Sequence, residues 1–362
     1  MTYLNPLILP HDGPLKRRPL RAKDASIPGF SEQYDWHTLA YDVIHKASEK
    51  AVVCVCPKLL NFRQLVRTGQ IRIDGALCPR PTIRTFRRFD EIWIPYTGPS
   101  PSQIELTLSG LALTGKISAQ SSDLTDRNVV ITKSKNNALA WIADWAAHYS
   151  RNQGANGFLF FDNASTDYEP DQITQTLSQA APDAAVQVLS ADFPFGPTLP
   201  KVPKHMNKFF QAAILNVARH RFVHSAAAVI SVDIDEIIVG KGQTVFQEVR
   251  DSRWGYLTIP GFWRLARPAP GALPRHADHI WRYPNDAGCQ EKWAAVPTRR
   301  FAQAGWEVHG LRGYYLNKWV TSDQLQMLHC DRISTGWKRK RERDGEDLIR
   351  CLVAEDLWSG ER

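Results

Sequence analysis

No apolar run in the 362 residues is long enough to cross a bilayer, because Asp, Arg or His interrupts the longest within about 18 residues. The N-terminus carries no basic region ahead of its short apolar patch, unlike a signal peptide. Six cysteines, Cys54, Cys56, Cys78, Cys289, Cys330 and Cys351, show no paired metal-ligand spacing. Cys54 and Cys56 alternate on an apolar stretch, as small buried thiols of a reducing compartment do. The loop Lys133 to Asn137 contains no glycine, which argues against the Gly-rich phosphate cradle of a nucleotidyltransferase. These absences predict a cytoplasmic globular protein, at most peripheral to the inner face of a membrane.

What is present is an ordinary hydrophobic content of 43%, enough chain for two domains, and a formal net charge of +8. That charge attracts anions of any kind, from nucleic acid to an acidic membrane surface to nucleotide sugars. Residues 1–36 are rich in Pro, Lys and Arg without a sustained period and read as an extended basic arm, its cations solvated. Residues 37–100 read as a small α+β module, with a helix over Trp36 to Lys50, a strand at Ala51 to Cys56, a helix over Lys58 to Thr68 and a hairpin turning at Asp74-Gly75. Residues 101–126 read as a linker.

From residue 127 the texture changes to strands alternating with helices: Asn128 to Thr132, Leu139 to Tyr149, Gly157 to Phe161, Ile173 to Gln179, Val186 to Leu189, an amphipathic helix over Lys204 to Arg219, then the apolar run from Ala226. That spacing predicts an α/β domain over 127–340 with a mostly parallel mixed sheet flanked by helices, all strand carboxyl ends on one rim. Residues 341–362 read as a C-terminal helix or tail. Onto the rim fall Lys133, Lys135 and Asn136, then Asp162, Asn163 and Asp167, then Asp233, Asp235 and Glu236. Lysines and helix-start amides suit phosphates, and Asp162 suits a base or ribose hydroxyl. Asp233 and Asp235, two apart on a strand, would project together and call for a cation; capping of the next helix or pairing with an arginine is the bland alternative. Trp263, Trp281, Trp293 and Trp306 serve equally as sugar-stacking platforms or core.

Two stretches resemble known families. Leu65 to Gly75 with Phe89 to Ile94, about 35 residues, resembles the small RNA-binding fold of a ribosomal small-subunit protein and of pseudouridine synthases. It implies a basic edge at Arg84, Arg87 and Arg88; a structural appendage is the preferred reading, and nucleic acid the disfavoured partner. Ser134 to Tyr149, Phe161 to Asp167 and Val232 to Val239, in that order, resemble the glycosyltransferase family 2-like proteins, near the family 92 branch. The resemblance implies a Rossmann-like A-type glycosyltransferase fold, a nucleoside-diphosphate-sugar donor, Mn²⁺ or Mg²⁺, and a carbohydrate or glycolipid acceptor in cell-surface polysaccharide synthesis. It implies that Asp162 contacts the nucleoside, Asp233 ribose or phosphate, and Asp235 the metal. Lys204 and Asn207 match the Lys and Asn that the family shows before its metal strand. Where the family has Lys-Asn-Glu this chain has Lys135-Asn136-Asn137, so one carboxylate is missing.

Downstream, Gln290 to Pro297 and Val308-His309 also resemble the family. His309 is the candidate third metal ligand beside Asp233 and Asp235, or a phosphate contact. Met327-Leu-His329 resembles its His-Tyr tail, with Cys330 in place of Tyr. The catalytic candidates are Asp235, Glu236 and, as the base of an inverting transfer, Glu291, with Asp286 and Glu307 open alternatives. A polyanion-binding protein working through the basic module is the reading of a different class.

Overall fold

The seven-residue strand Ala51–Pro57 is buried along its whole length, and a strand can be apolar on both faces only when it is central. In the computed structural model, which describes residues 3–203, 207–268, 272–286, 288–311, 317–334 and 347–359, this strand pairs antiparallel with Asp42–Lys46 on one side and Phe89–Pro95 on the other. Where a helix was expected over Trp36 to Lys50, the chain forms strands Thr38–Ala40 and Asp42–Lys46. Thr38, Val43 and Ile44 are β-branched, and burial on both faces erases the alternation that would have distinguished strand from helix. The hairpin at Asp74-Gly75 is present, with φ of 47° and 82° at the two turn residues, as a right-twisted two-residue turn requires. The expected linker also carries a hairpin, Gln103–Leu108 with Leu111–Lys116, whose first strand pairs with Gln70–Ile73. The arm is anchored: Arg17 is wholly buried and its guanidinium donates to the carbonyls of Lys58 and Thr38.

The second body is built on eight strands: β1 (Asn128–Ser134), β2 (Gly157–Asp162), β3 (Ala185–Ser190), β4 (Ala228–Ser231), β5 (Glu236–Gly240), β6 (Tyr256–Arg264), β7 (Gly288–Ala295) and β8 (Leu325–Cys330). Their order is β3-β2-β1-β4-β7-β6-β8-β5. The first four are parallel neighbours; β7 then runs antiparallel to both β4 and β6, β6 parallel to β8, and β8 antiparallel to β5. The domain is therefore α/β with a mixed sheet, parallel through one half. Alternate residues of β1 feed two cores: Val130 meets Trp145 and Tyr149 of helix α1 (Leu139–Gln153), while Val129 and Ile131 meet the layer of Phe210 and Ile214. Truncating a buried side chain the size of Trp145 to Ala typically costs about 3–5 kcal/mol.

The helix expected over Lys204 to Arg219 is described as Phe209–Val217 and continues into a π-turn at Ala218–Phe222; Lys204 lies outside the described residues. It is buried nearly all round rather than amphipathic, because the N-terminal module covers its second side and shares one core with Phe210 and Ile214 through Tyr41, Val53 and Phe89.

A buried ion network closes this seam. Glu91 accepts from Arg219 at 2.5 Å and His220 at 2.9 Å, and the other nitrogen of His220 lies 3.2 Å from Lys46. Nearby, Arg221 meets Asp42 at 2.7 Å. Burial and the adjacent Arg219 push the His220 pKa down to about 3, so the imidazole is neutral. The Glu91 carboxyl is held well below its usual range, because His220 and Arg219 outweigh the effect of burial. Among the described residues no helix is long and apolar enough to cross a membrane. Of the C-terminal stretch, the helix Leu352–Trp358 is described, with Trp358 buried in the main core.

Candidate active site

After β1 the chain winds through β2 and β3 along one side of the sheet, then returns to place β4 on the other side of β1. In open α/β sheets such a reversal leaves a crevice beyond the strand carboxyl ends. A cleft with about 580 Å³ of empty space occurs there, lined among others by Lys133, Lys135, Asn137, Asn163, Asp233 and Asp235.

Its floor differs from two carboxylates on one strand face. β4 ends at Ser231, and the amide of Glu236 bonds back to the carbonyl of Asp233 at 3.1 Å, so residues 232–235 form a turn between β4 and β5. The two acids are thereby separated. Asp233 takes two ammonium groups, Lys133 at 2.8 Å and Lys292 of β7 at 2.9 Å, and these hold its carboxyl well below the usual range despite burial. Its negative charge is already balanced by lysines. Asp235, 5% exposed, instead meets His329 of β8 at 3.0 Å. Glu236 accepts from Lys292 at 2.8 Å and from the amide of Asp233 at 2.8 Å.

Lys133, Asp233, Lys292, Glu236, His329 and Asp235 thus form a chain of alternating charge. Burial raises the Glu236 pKa, opposed by Lys292. Burial would lower that of His329, but the Asp235 carboxylate and the hydrogen bonds to Asp235 and Cys289 outweigh it and lift it to about 10. The imidazole ring lies flat on Trp263, centroids 4.0 Å apart.

Ligand atoms of Asp235, Glu236 and His329 lie within 4.8 Å of one another, a cluster of two carboxylates and one imidazole suited to a hard or borderline divalent cation. Of the sequence candidates for metal, Asp235 belongs to this cluster. Asp233 is engaged by lysines, and His309 faces elsewhere: its Nδ1 lies 3.0 Å from the carbonyl of Glu291, and it borders a second cavity together with Glu291. His329 takes the place beside Asp235 because β8 pairs directly with β5, setting His329 opposite Glu236.

The other rim residues are knitted together. Asn136, with φ of 54°, donates its amide to Ser165 at 2.9 Å, and its side-chain oxygen accepts from the amide of Thr166 at 2.7 Å. Asp162 is buried and accepts from the hydroxyl and amide of Ser165, and burial raises its pKa against those bonds. Asn163 ties the loop to the carbonyls of Ala191 and Phe193 at 2.7 and 2.8 Å. Asn137, standing where a carboxylate was expected, lines the cleft with its Oδ1 buried and unpartnered. Asn207 is buried and donates to Asp24 of the arm at 3.4 Å.

Lys292 is not among the site candidates named from the sequence. Its sequence signal is the lysine of the segment Gln290 to Pro297, which resembles the family's run of Lys, apolar residues and Pro. Trp293 and Trp306 are core, packed edge to face at 5.1 Å, rather than cleft-facing.

No protein-family model matches the chain, and no curated protein matches it. Among solved structures, the apo structure of the bifunctional glycosyltransferase WbbM aligns with 49% of this chain and 33% of its own length, at 11% identity and a TM-score of 0.26. The chain covers about a third of that protein, and a score this low assigns no common fold.

Proposed function

We propose that the chain is a metal-dependent glycosyltransferase that moves a sugar from a nucleoside-diphosphate donor to a hydroxyl acceptor, on a Rossmann-like A-type fold. The observation that carries this reading is the cleft at the reversal of strand order, with lysines on its β1 wall and the Asp235, Glu236, His329 cluster on its floor. The strand order 3-2-1-4 across its parallel half supports the Rossmann-like part.

Asp235 and His329 would hold Mn²⁺ or Mg²⁺, with Glu236 behind them, and the ion would offset charge on the departing diphosphate. Binding would require His329 to give up its proton, since an imidazolium has no lone pair to offer. Lys135 at the cleft wall suits the phosphates, and the unpartnered Asn137 oxygen suits a donor hydroxyl or amino group. Lys133 and Lys292, already paired with Asp233, fix the acid turn and set a positive background for charge that develops as the sugar–phosphate bond breaks.

Glu291 is the base candidate that borders open space. It lines the second cavity beside His309, with one carboxylate oxygen accepting from the side chain of Asn317. There it serves as the base: it takes the acceptor hydroxyl proton, the oxygen bonds to the anomeric carbon, and the diphosphate leaves with the bonding electrons, inverting that centre. The test is calorimetry of nucleoside diphosphates and their sugars with and without Mn²⁺. Asp235→Ala is expected to abolish metal-dependent binding while the protein stays folded; binding unchanged by that substitution would overturn the reading.

A further inference from the structure

The second cavity is a joint construction of the two bodies. With about 1300 Å³ of empty space, it is lined on the main-sheet side by Gly261, Phe262, Gln290, Glu291 and His309, and on the other by Arg87 and Arg88. The pairing of β6 with β7 shifts between Ile259 and Gly261, at Pro260, whose ring nitrogen has no hydrogen to donate. The cavity opens at that irregularity.

The two arginines lie in the turn between strands Thr82–Thr85 and Phe89–Pro95 of the N-terminal module, and this turn is locked onto the main body. Phe86 and Phe89 stack at 4.3 Å with their planes 6° apart, and Phe86 presses on Gly305 so closely that a Cβ there would lie 2.4 Å from its ring. Arg88 is buried and pairs with Glu307 at 2.7 Å, two residues before His309. Arg87, between these two anchors, is exposed and borders the cavity.

The chemistry of the lining is specific. His309 Nδ1 faces a carbonyl, which can only accept, so its proton sits there and Nε2 carries a lone pair. Burial and the Lys292 ammonium push its pKa down to about 3, keeping it an acceptor. The Glu291 carboxylate, one of whose oxygens already accepts from Asn317, and the Gln290 oxygen add further acceptors, Phe262 adds an aromatic surface, and Arg87 adds a cation at one side. Acceptors around an aromatic surface suit a ring rich in hydroxyls, and the cation suits an acid group on that ring.

The geometry points to this cavity as the acceptor site, with the N-terminal module as one of its walls and Arg87 selecting an acceptor saccharide that bears a carboxylate or phosphate. The saccharide role rests on the glycosyl-transfer reading; the cavity and its arginine do not.

The test is direct titration of the full chain, without donor, with three disaccharides differing at one position: a neutral hexose, a uronic acid and a hexose phosphate. At least one acidic form should bind about tenfold or more tightly than the neutral form. Whichever acid binds tighter identifies the group. Arg87→Glu, at an exposed position where an unchanged melting temperature checks the fold, should erase the preference, and Arg87→Lys should retain most of it. Equal binding of neutral and acidic sugars, no binding of any of them, or a preference that survives Arg87→Glu would overturn the inference. A parallel titration with uridine or guanosine diphosphate and Mn²⁺ separates the two readings. Diphosphate binding without acidic-sugar binding defeats the cavity assignment alone, and the converse defeats the donor assignment alone.

Discussion

Two buried ion networks in this molecule have almost the same ingredients. At the seam, Lys46, Glu91, Arg219 and His220 join the N-terminal module to the main body; at the cleft, Lys133, Asp233, Lys292, Glu236, His329 and Asp235 cross the end of the sheet. Both join cations to carboxylates through a histidine and both lie among buried groups. They differ in their histidines and in their borders. His220 is held neutral by burial and an arginine neighbour, whereas at His329 the acids outweigh burial and hold it protonated. The seam joins two packed layers, while the cleft network borders open space through Asp233 and Asp235. Buried charge alone therefore does not single out a candidate site; buried charge that borders a cavity does.

Four measurements would break or sharpen this contrast. The largest effect should come from Asp235→Ala, which is expected to reduce metal-dependent donor turnover by more than about 100-fold, since even indirect partners of a bound metal typically contribute 10–100-fold. Donor turnover assayed across a Mn²⁺ titration reads this; the melting temperature should fall as well, because His329 loses the carboxylate that holds its proton. Glu91→Ala should act on stability alone. Leaving Arg219 buried without its carboxylate is expected to cost about 3–5 kcal/mol in chemical denaturation, with metal-dependent binding retained in the fraction that stays folded.

The pH dependence of stability should divide along the same line. His148, His220 and His309 have pKa values lowered to about 4, 3 and 3. The unfolded chain protonates them first, so stability falls as pH drops from about 6.5 toward 3, by up to about 1.4 kcal/mol per pH unit for each. His329 has the opposite sign: its contribution is full below about 6.5 and is lost as pH rises through about 10. Melting temperatures across that range should lose their alkaline decline in His329→Gln and part of their acid decline in His220→Gln. The smallest effect should be Asn136→Ala. Removing its two side-chain bonds to Thr166 at a left-handed φ is expected to cost about 1–2 kcal/mol and to weaken donor binding only modestly.

Much of the main domain was legible because its first three strands and two helices follow one another locally, each with its own period. The acid turn was not, because Ala226 to Val239 reads as one continuous apolar run and nothing local says that β4 stops at Ser231. The choice of His309 over His329 had the same origin. Both follow Asp235 in sequence, and only the pairing of β8 with β5 brings His329 to it. The residues 36–50 were misread because strands buried on both faces carry no alternation. The second cavity was illegible in principle, since its walls come from residues 87 and 309, joined only by the packing of the two bodies.

The acid turn has one more consequence, a mechanical one. β4 and β5 are four places apart in the sheet order, which in a flat sheet is about 19 Å at ~4.8 Å per strand, yet only residues 232–235 connect them. Five steps of fully extended chain reach at most about 18 Å, and this connection is folded into a turn. The sheet must therefore curl until its last strand swings back toward β4, with the turn acting as a clasp across the opening. Lys292 and His329 stand on strands inside that arc, which is how both reach the clasp. Any motion that flattened the sheet would pull on Asp233 and Asp235 directly, so curvature of the scaffold and alignment of the acids are a single degree of freedom.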